Sequence, residues 1–300
     1  MSFDIGAVPL EVAIALSFVF FLLSVIASAC TEGVSWALKL RAKTLVKGIR
    51  GLVGEAAAGK VLNHPLVKTD VTTDSKRKQP SYVSARNFTL ALFQTVSKDG
   101  LAMAKNIDEA RGAINSLDDS PLGKQLKALV NDGEADLGRF RNSVEKWFDD
   151  GMDRVSGWYK RRAQIITCVF AVAIAVGLNV DAIRVTERIA NDPTVRTTIV
   201  TQAEKTAESS PGPTGGEEES SLTGAGKEAE TAVKQLKTLN LSILWGSGNQ
   251  SVHLTTIVGW LITALAISLG SPFWFDALSK LARLRTTGTK PKPAQSPDST

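Results

Sequence analysis

Three long blocks without aspartate, glutamate, lysine or arginine constrain this chain more than any other feature. They occupy residues 12–31, 163–180 and 238–275. An α-helix rises about 1.5 Å per residue, so roughly 20 apolar residues cross the roughly 30 Å hydrocarbon core of a bilayer. The sequence therefore predicts an integral membrane protein with three transmembrane helices, at residues 8–31, 163–180 and 254–275.

The segment between the first two predicted spans, residues 32–162, carries the apolar periodicity of helices. A spacing of three and four residues relates Met103, Ile107, Ala110, Ile114 and Leu117. Ser120 followed by Pro121 is typical of an N-cap with proline at the first helical position. Helices are expected at residues 39–59, 82–96 and 103–117 and from residue 121, and no alternating pattern indicates a strand. The predicted fold class is all-α, with a helical cytoplasmic domain.

Lysine and arginine are unevenly distributed among the segments that flank the spans. Residues 32–162 carry 23 bases and 16 acids, and residues 276–300 carry five bases and two acids. Residues 181–253 carry seven bases and ten acids. Basic flanks stay in the cytoplasm. We therefore expect residues 1–7 and the loop 181–253 outside, and residues 32–162 and 276–300 in the cytoplasm.

The first span could instead be a signal sequence, because Ala27, Ser28, Ala29 and Cys30 resemble a cleavage site. A signal peptide needs a basic start and a short apolar core. The residues before the apolar core of this chain include Asp4 and no base, and that core is about 20 residues long. The membrane-span interpretation is preferred.

Aromatic and basic residues mark two predicted membrane interfaces, because such side chains anchor a span at the headgroup level. The predicted interface residues are Trp158, Tyr159, Lys160, Arg161, Arg162, Phe273, Trp274, Phe275, Lys280, Arg283 and Arg285. The last three belong to a basic amphipathic helix suited to an anionic inner leaflet. A further hypothesis is one unbroken helix over residues 135–190.

Capping and helix-breaking residues in the last third of the chain predict where helices begin, bend and stop. Asp192 and Pro193 start a helix that reaches about residue 207. Residues 209–226 are acidic and of low complexity, which predicts disorder. Gly270, Ser271 and Pro272 break or kink the third span, and the residues from 286 onward form a disordered tail.

Candidate catalytic groups are sparse, and none forms a known constellation. Asp149, Asp150 and Asp153 are acids without a nearby histidine, and are expected on a solvated helix face. The two cysteines, Cys30 and Cys168, and the two histidines, His64 and His253, are far apart in the sequence. The sequence therefore predicts no catalytic, cofactor-binding or metal-binding residues.

One stretch comes close to a phosphate-binding loop. Residues 54–60 have the spacing G-x-x-x-x-G-K, but Val61 replaces the serine or threonine that would bind magnesium, and no buried strand precedes the glycines. A helix that ends near Gly59 is the preferred interpretation.

Five stretches together resemble a family of uncharacterised bacterial integral membrane proteins. They are RAKTLVKGIRGLVG (41–54), PSYVSARNFTLALF (80–93), WFDDGMDRVSGWYKRR (147–162), LNVDAIRV (178–185) and GWLITALAISLGSPFWFDALSKL (259–281). The resemblance implies a multi-pass protein of the bacterial inner membrane, and it implies no activity, cofactor or catalytic residue.

Three functions remain open from the sequence. The leading hypothesis is a non-enzymatic scaffold or oligomeric component whose cytoplasmic domain binds a protein partner or a second copy. A subunit of a multimeric pore or transport accessory is the first alternative, and a membrane-bound hydrolase or nucleotide-dependent enzyme is the second. The expected lipid partner is the anionic inner leaflet, and no nucleic-acid partner is expected because the bases cluster at the membrane edges.

Overall fold

The computed structural model describes residues 7–68, 80, 82–96, 101–117, 119–131, 136–209, 222–239 and 253–287. Within these ranges the chain forms thirteen helices and no strand, which confirms the all-α prediction. The helices are α1 (Ala7–Ala37), α2 (Leu40–Val53), α3 (Glu55–Asn63), α4 (Pro65–Lys68), α5 (Ala85–Val96), α6 (Ile107–Asn115), α7 (Pro121–Asn131), α8 (Leu137–Gly177), α9 (Ala182–Asn191), α10 (Pro193–Ser209), α11 (Leu222–Thr238), α12 (Leu254–Ser268) and α13 (Ser271–Thr287).

The chain divides into two compact units. Unit 1 contains Met1–Val34 and Ala163–Thr300, and unit 2 contains Ser35–Arg162. Each unit has its own cluster of buried apolar side chains.

Helix α1 supplies the largest fully buried side chains of unit 1. They are Ile14, Phe18, Leu22 and Leu23. Ala171 and Ala175 of α8 and Ile267 of α12 are buried in the same core. Most of α1 is therefore covered by other helices, and α8 and α12 form part of that cover.

Aromatic rings dominate the core of unit 2. Phe88 of α5 stacks on Phe148 of α8 with ring centroids 4.0 Å apart, and Phe93 stacks on Phe140 at 5.6 Å. The buried side of α8 is a stripe through Phe140, Val144, Phe148 and Val155. These aromatic residues therefore stabilise packing.

Helix starts agree with the capping signals in the sequence. Ser120 Oγ accepts a hydrogen bond from the Gly123 amide at 3.1 Å, at the start of α7. Asp192 Oδ1 accepts hydrogen bonds from the amides of Thr194 and Val195 at 3.0 and 3.1 Å, at the start of α10. A short polar side chain before proline or an apolar run satisfies amides that lack a partner within the helix.

Two predicted continuous helices are interrupted in the structure. The helix expected over residues 135–190 passes unbroken through Gly157 but stops at Gly177, because Asn179 adopts a left-handed conformation (φ 49°) and Asp181 caps the new helix α9. The helix expected over residues 39–59 breaks at Gly54, where φ is 82°. Gly59 lies inside α3, so the prediction that a helix ends there is wrong.

Part of the region predicted to be disordered is helical. Residues 222–226 begin α11, and residues 210–221 lie outside the described part of the chain. Most of the predicted disordered tail, residues 288–300, also lies outside the described part, as do residues 69–79 of the polar segment.

Candidate membrane interface

One helix, α1, is long and apolar enough to cross a bilayer. Two further helix pairs pass the same test only when each bent pair is counted as one span. The pair α8 and α9 is bent by 58°, and the pair α12 and α13 by 91°. The structure therefore contains one to three candidate membrane spans.

Apolar side chains are exposed along one side of the second half of α8. Ile165, Val169, Val172 and Val176 recur at three-and-four spacing, and all four are exposed. A matching stripe on α12 contains Leu254, Val258, Leu261 and Leu265, and the exposed Leu269 follows directly after the helix. Contiguous apolar surface of this kind suits acyl chains better than water.

A band of exposed basic and aromatic side chains precedes the apolar part of α8. Lys160, Arg161 and Arg162 are exposed, Trp158 is 52% exposed, and Tyr159 is half-buried. We call these five residues the basic collar. Trp158 continues the stripe of Phe148 and Val155 but leaves the core, so it resembles an interfacial anchor rather than a packing residue.

Two further exposed apolar residues near the end of α1 were missed by the sequence analysis. Trp36 is 53% exposed and Leu38 is 49% exposed, and the exposed bases Lys39 and Arg41 follow at once. The combination of tryptophan with nearby bases was present in the sequence and could have identified Trp36 in the same way as Trp158.

The structure separates the interface residues predicted near the C-terminus. Phe273 is 50% exposed, whereas Trp274 and Phe275 are half-buried against α1. The ring of Trp274 lies 5.0 Å from that of Phe20, and the ring of Phe275 lies 5.7 Å from that of Phe21. Two of these three aromatic residues therefore pack inside unit 1 rather than at its surface.

The break between α8 and α9, residues 178–181, is held by side chains from α12. Trp260 Nε1 donates to Asn179 Oδ1 at 3.0 Å, and Thr263 Oγ1 donates to the Val180 carbonyl at 2.8 Å. We call this the first break. Backbone groups that leave a helix need such partners wherever water is excluded.

Asp181 is the buried acid at the first break. Its Oδ1 accepts hydrogen bonds from the Ile183 and Arg184 amides at 2.9 and 3.3 Å, and Arg184 Nε lies 3.5 Å from Oδ2. The backbone of Gly259 lies directly against this carboxylate. The carboxylate is neutralised by Arg184 and caps α9, so it serves a structural role.

Three successive carbonyls at the end of α12 accept hydrogen bonds from three other helices. Trp274 Nε1 of α13 donates to Ala266 at 2.6 Å. Ser24 Oγ of α1 donates to Ile267 at 3.2 Å, and Gln164 Nε2 of α8 donates to Ser268 at 2.9 Å. The chain then turns at Gly270, whose φ is 88°. We call residues 269–270 the second break.

Four charged side chains form a largely buried ion cluster in unit 1. Glu11 of α1 bonds both Arg196 of α10 at 3.0 Å and Arg285 of α13 at 3.1 Å, and Arg285 also bonds Glu204 at 2.6 Å. Arg196 further donates to the carbonyls of Ile189 and Ala190. The two acids and two bases of the ion cluster balance in charge.

The ion cluster corrects the expected position of Arg285. The expected topology put Arg285 in the cytoplasm and Glu204 in the outer loop, with Glu11 near the outer end of the first span. Direct ion pairs require all three to lie at the same end of unit 1. The periodicity of α13 showed its basic face, but no local signal could identify acids 81 and 274 residues away.

No candidate chemical centre emerges within the described residues. Asp149, Asp150 and Asp153 are exposed, and no group of three or more histidine, cysteine, aspartate or glutamate residues could hold a metal ion. The stretch that resembles a phosphate-binding loop is mostly helical, because α3 runs from Glu55 through Lys60. The amides from Ala58 onward are therefore engaged along a helix, as in the bond from Ala58 to the Gly54 carbonyl.

No protein-family model, no curated protein and no solved structure matches this chain. The resemblance to uncharacterised bacterial integral membrane proteins remains an expectation from its sequence stretches. The architecture indicates a helical protein with at least one helix long and apolar enough to span a membrane.

Proposed function

We propose that this chain is a non-enzymatic, multi-pass protein of the bacterial inner membrane. Unit 2 acts as a helical module that binds a protein partner or a second copy on the cytoplasmic side. Unit 1 anchors it in the bilayer, and the basic collar contacts anionic headgroups. The alternatives of a pore subunit or a membrane-bound enzyme have no supporting contact among the described residues.

The observation that carries this proposal is the continuity of α8. This single helix contributes Phe140, Val144 and Phe148 to the core of unit 2 and Ala171 and Ala175 to the core of unit 1. Between these two groups it exposes the basic collar, and beyond the collar it exposes apolar residues. A helix ordered in this way suits a folded module that is joined to a membrane anchor.

Membrane anchoring is tested by alkaline carbonate extraction of membranes that contain the full chain. A protein with lipid-exposed helices stays with the bilayer, whereas a peripheral protein is released. We expect the full chain in the membrane pellet. Release into the supernatant would show that the exposed apolar residues of α8 and α12 do not contact lipid.

Headgroup recognition is tested by native mass spectrometry of the protein extracted from membranes. Lys160→Gln, Arg161→Gln and Arg162→Gln together should reduce the number of retained anionic lipids, because each base near the surface contributes about 1 kcal/mol to attraction. The control variant carries Lys60→Gln, Lys68→Gln and Lys124→Gln, three exposed bases elsewhere in unit 2. Equal retention by both variants would contradict the role of the collar.

Partner binding by unit 2 is tested by chemical crosslinking of the full chain in native membranes, followed by purification. We expect a discrete crosslinked species, either with a second copy or with a different protein. A chain that remains entirely monomeric and without partners under these conditions would contradict the scaffold proposal.

A further inference from the structure

The two ends of unit 1 can be identified along α1. Glu11 and Thr31 are 20 residues apart on this helix, a rise of about 30 Å, which matches the thickness of a hydrocarbon core. Thr31 lies beside Thr167 of α8, with their hydroxyl oxygens 3.1 Å apart. Glu11 lies beside Arg196 of α10. Between these contacts α8 and α9 therefore return the chain from the Thr31 end to the Glu11 end.

Helix α12 starts beside the first break and runs towards the Thr31 end. Its first half contacts residues 179–184, as in the bonds of Thr256 to Arg184 and of Trp260 to Asn179. Its last carbonyls accept from Ser24 and Gln164. With 15 residues, α12 rises only about 22 Å, which is too short to cross a core of about 30 Å.

Helix α13 leaves the second break at 91° to α12 and passes beside α1 back towards Glu11. Phe275 contacts Phe21 near the second break, and Arg285 contacts Glu11. The ten residues from 275 to 285 match the ten residues from 21 back to 11, about 15 Å on each helix. The end of α13 therefore lies where α1 begins.

The second break has the hydrogen bonds that a turn within the bilayer requires. Irregular backbone at membrane depth is tolerated only where protein or enclosed water satisfies it. The carbonyls of Ala266, Ile267 and Ser268 each have a side-chain donor, and Ser271 is buried. Side chains of α1, α8 and α13 therefore satisfy the last carbonyls before the turn.

Ion pairs also fix the position of the last base of α13. Arg285 bonds Glu11 of α1 and Glu204 of α10. These contacts hold the end of α13 at the Glu11 end of unit 1, although basic flanks ordinarily favour the cytoplasm.

We propose that α12 and α13 form a re-entrant hairpin. The hairpin enters the bilayer from the Glu11 end, turns at Gly270 and leaves by the same face. The protein then crosses the membrane twice, through α1 and through the bent pair of α8 and α9, and the end of α13 lies on the same side as α10. This inference rests on the membrane anchor of the proposed function, and it replaces the three crossings expected from the sequence.

The test is labelling of single cysteines in sealed vesicles with a membrane-impermeant maleimide. The background is the full chain with Cys30→Ala and Cys168→Ala. Leu284→Cys reports on the exposed end of α13, Thr198→Cys reports on α10, and Met103→Cys reports on unit 2. We expect Leu284→Cys and Thr198→Cys to be labelled from one side, and Met103→Cys from the other.

Two other outcomes have distinct meanings. Labelling of Leu284→Cys from the same side as Met103→Cys, and opposite to Thr198→Cys, would establish a third crossing and overturn the hairpin. Labelling of all three cysteines from outside, in right-side-out and in inside-out vesicles alike, would show that no part of the chain is shielded by a bilayer. That result would contradict the membrane anchor itself. A protease-cleavable tag after Thr300, on a chain with no substitution, reads the same topology if a cysteine variant fails to fold: cleavage from the Met103 side overturns the proposal.

Discussion

At the scale of single residues, close approaches between helices determine which side chains are allowed. Gly259 is the clearest case, because the Asp181 carboxylate occupies the space where a Cβ would lie. The hydrogen bond from Thr263 to the Val180 carbonyl holds the two segments in this arrangement. Glycine is required here by the neighbouring carboxylate rather than by its backbone angle.

Gly259→Ala should lower the free energy of unfolding by about 1–3 kcal/mol, because a methyl group forces α12 away from Asp181. The measurement is thermal unfolding in detergent, with tryptophan fluorescence as the probe. Gly33→Ala is the control, since nothing lies within 4 Å of a Cβ at that position of α1. Equal stability of the two variants would show that the approach at Gly259 is not tight.

Phe88→Ala should destabilise unit 2 by about 3–5 kcal/mol, because it removes a fully buried ring that stacks on Phe148. Hydrogen exchange of the α5 amides measures the effect within that unit. The control is Tyr82→Ala, since Tyr82 is 64% exposed and its truncation should change stability by less than about 0.5 kcal/mol. Unchanged protection of α5 in Phe88→Ala would contradict the role of the stack.

At the scale of helices, the two breaks explain why long apolar blocks do not form straight spans. Each break is completed by side chains from other helices, as with Thr263 at the first break and Ser24 at the second. An apolar block indicates that a segment prefers lipid, but it does not reveal whether the backbone continues as one helix. The bends of 58° and 91° coincide with these tertiary contacts.

Trp274→Phe should destabilise the second break by about 1–3 kcal/mol, because the Ala266 carbonyl loses its indole donor in a region that excludes water. Thermal unfolding of the full chain in detergent measures the loss. Phe273→Leu serves as the neighbouring control, since Phe273 is half exposed and donates no hydrogen bond. A smaller loss in Trp274→Phe than in Phe273→Leu would exclude this role for the indole.

Local signals in the sequence predicted much of the secondary structure. Ser120 with Pro121, and Asp192 with Pro193, marked helix starts that the structure confirms, because a cap needs only amides within a few residues. Gly270 likewise marked a true kink, since a left-handed turn favours glycine. The first break was missed although Asp181 is a local cap of the same kind, and only its partners Trp260 and Thr263 are about 80 residues away.

The candidate interface was also predictable only where its signal is local. Trp158 and the three following bases are consecutive in sequence, and the structure exposes the bases and half of the tryptophan. Arg285 appeared to belong to a similar collar, yet it is paired with Glu11 and Glu204. The sequence around a single base on an amphipathic helix does not show whether that base contacts a lipid headgroup or a distant acid.

At the scale of the whole molecule, the ion cluster joins the beginning of the chain to its last described helix. Arg196 and Glu11 have side chains only 9% and 16% exposed, so their charges are poorly solvated unless paired. Removing one partner of such a pair leaves a buried charge without compensation, whereas removing both restores neutrality.

Glu11→Gln and Arg196→Gln should each destabilise unit 1 by about 3 kcal/mol, and the double variant should lose less than the sum of the two. A double-mutant cycle based on unfolding in detergent measures the coupling. The exposed pair Glu230 and Lys234 of α11 provides the control cycle, with a coupling of about 0.5 kcal/mol or less. Additive losses at Glu11 and Arg196 would contradict a direct ion pair.

The three donors at the end of α12 have a consequence for how the protein is made. Ser24 and Gln164 precede α12 in the chain, so translation delivers them before the carbonyls that they satisfy. Only Trp274 is synthesised after α12. In the proposed membrane-anchored fold, α12 alone would enter the bilayer with its last carbonyls unpaired, so we expect α1 and α8 to be in place before α12 inserts.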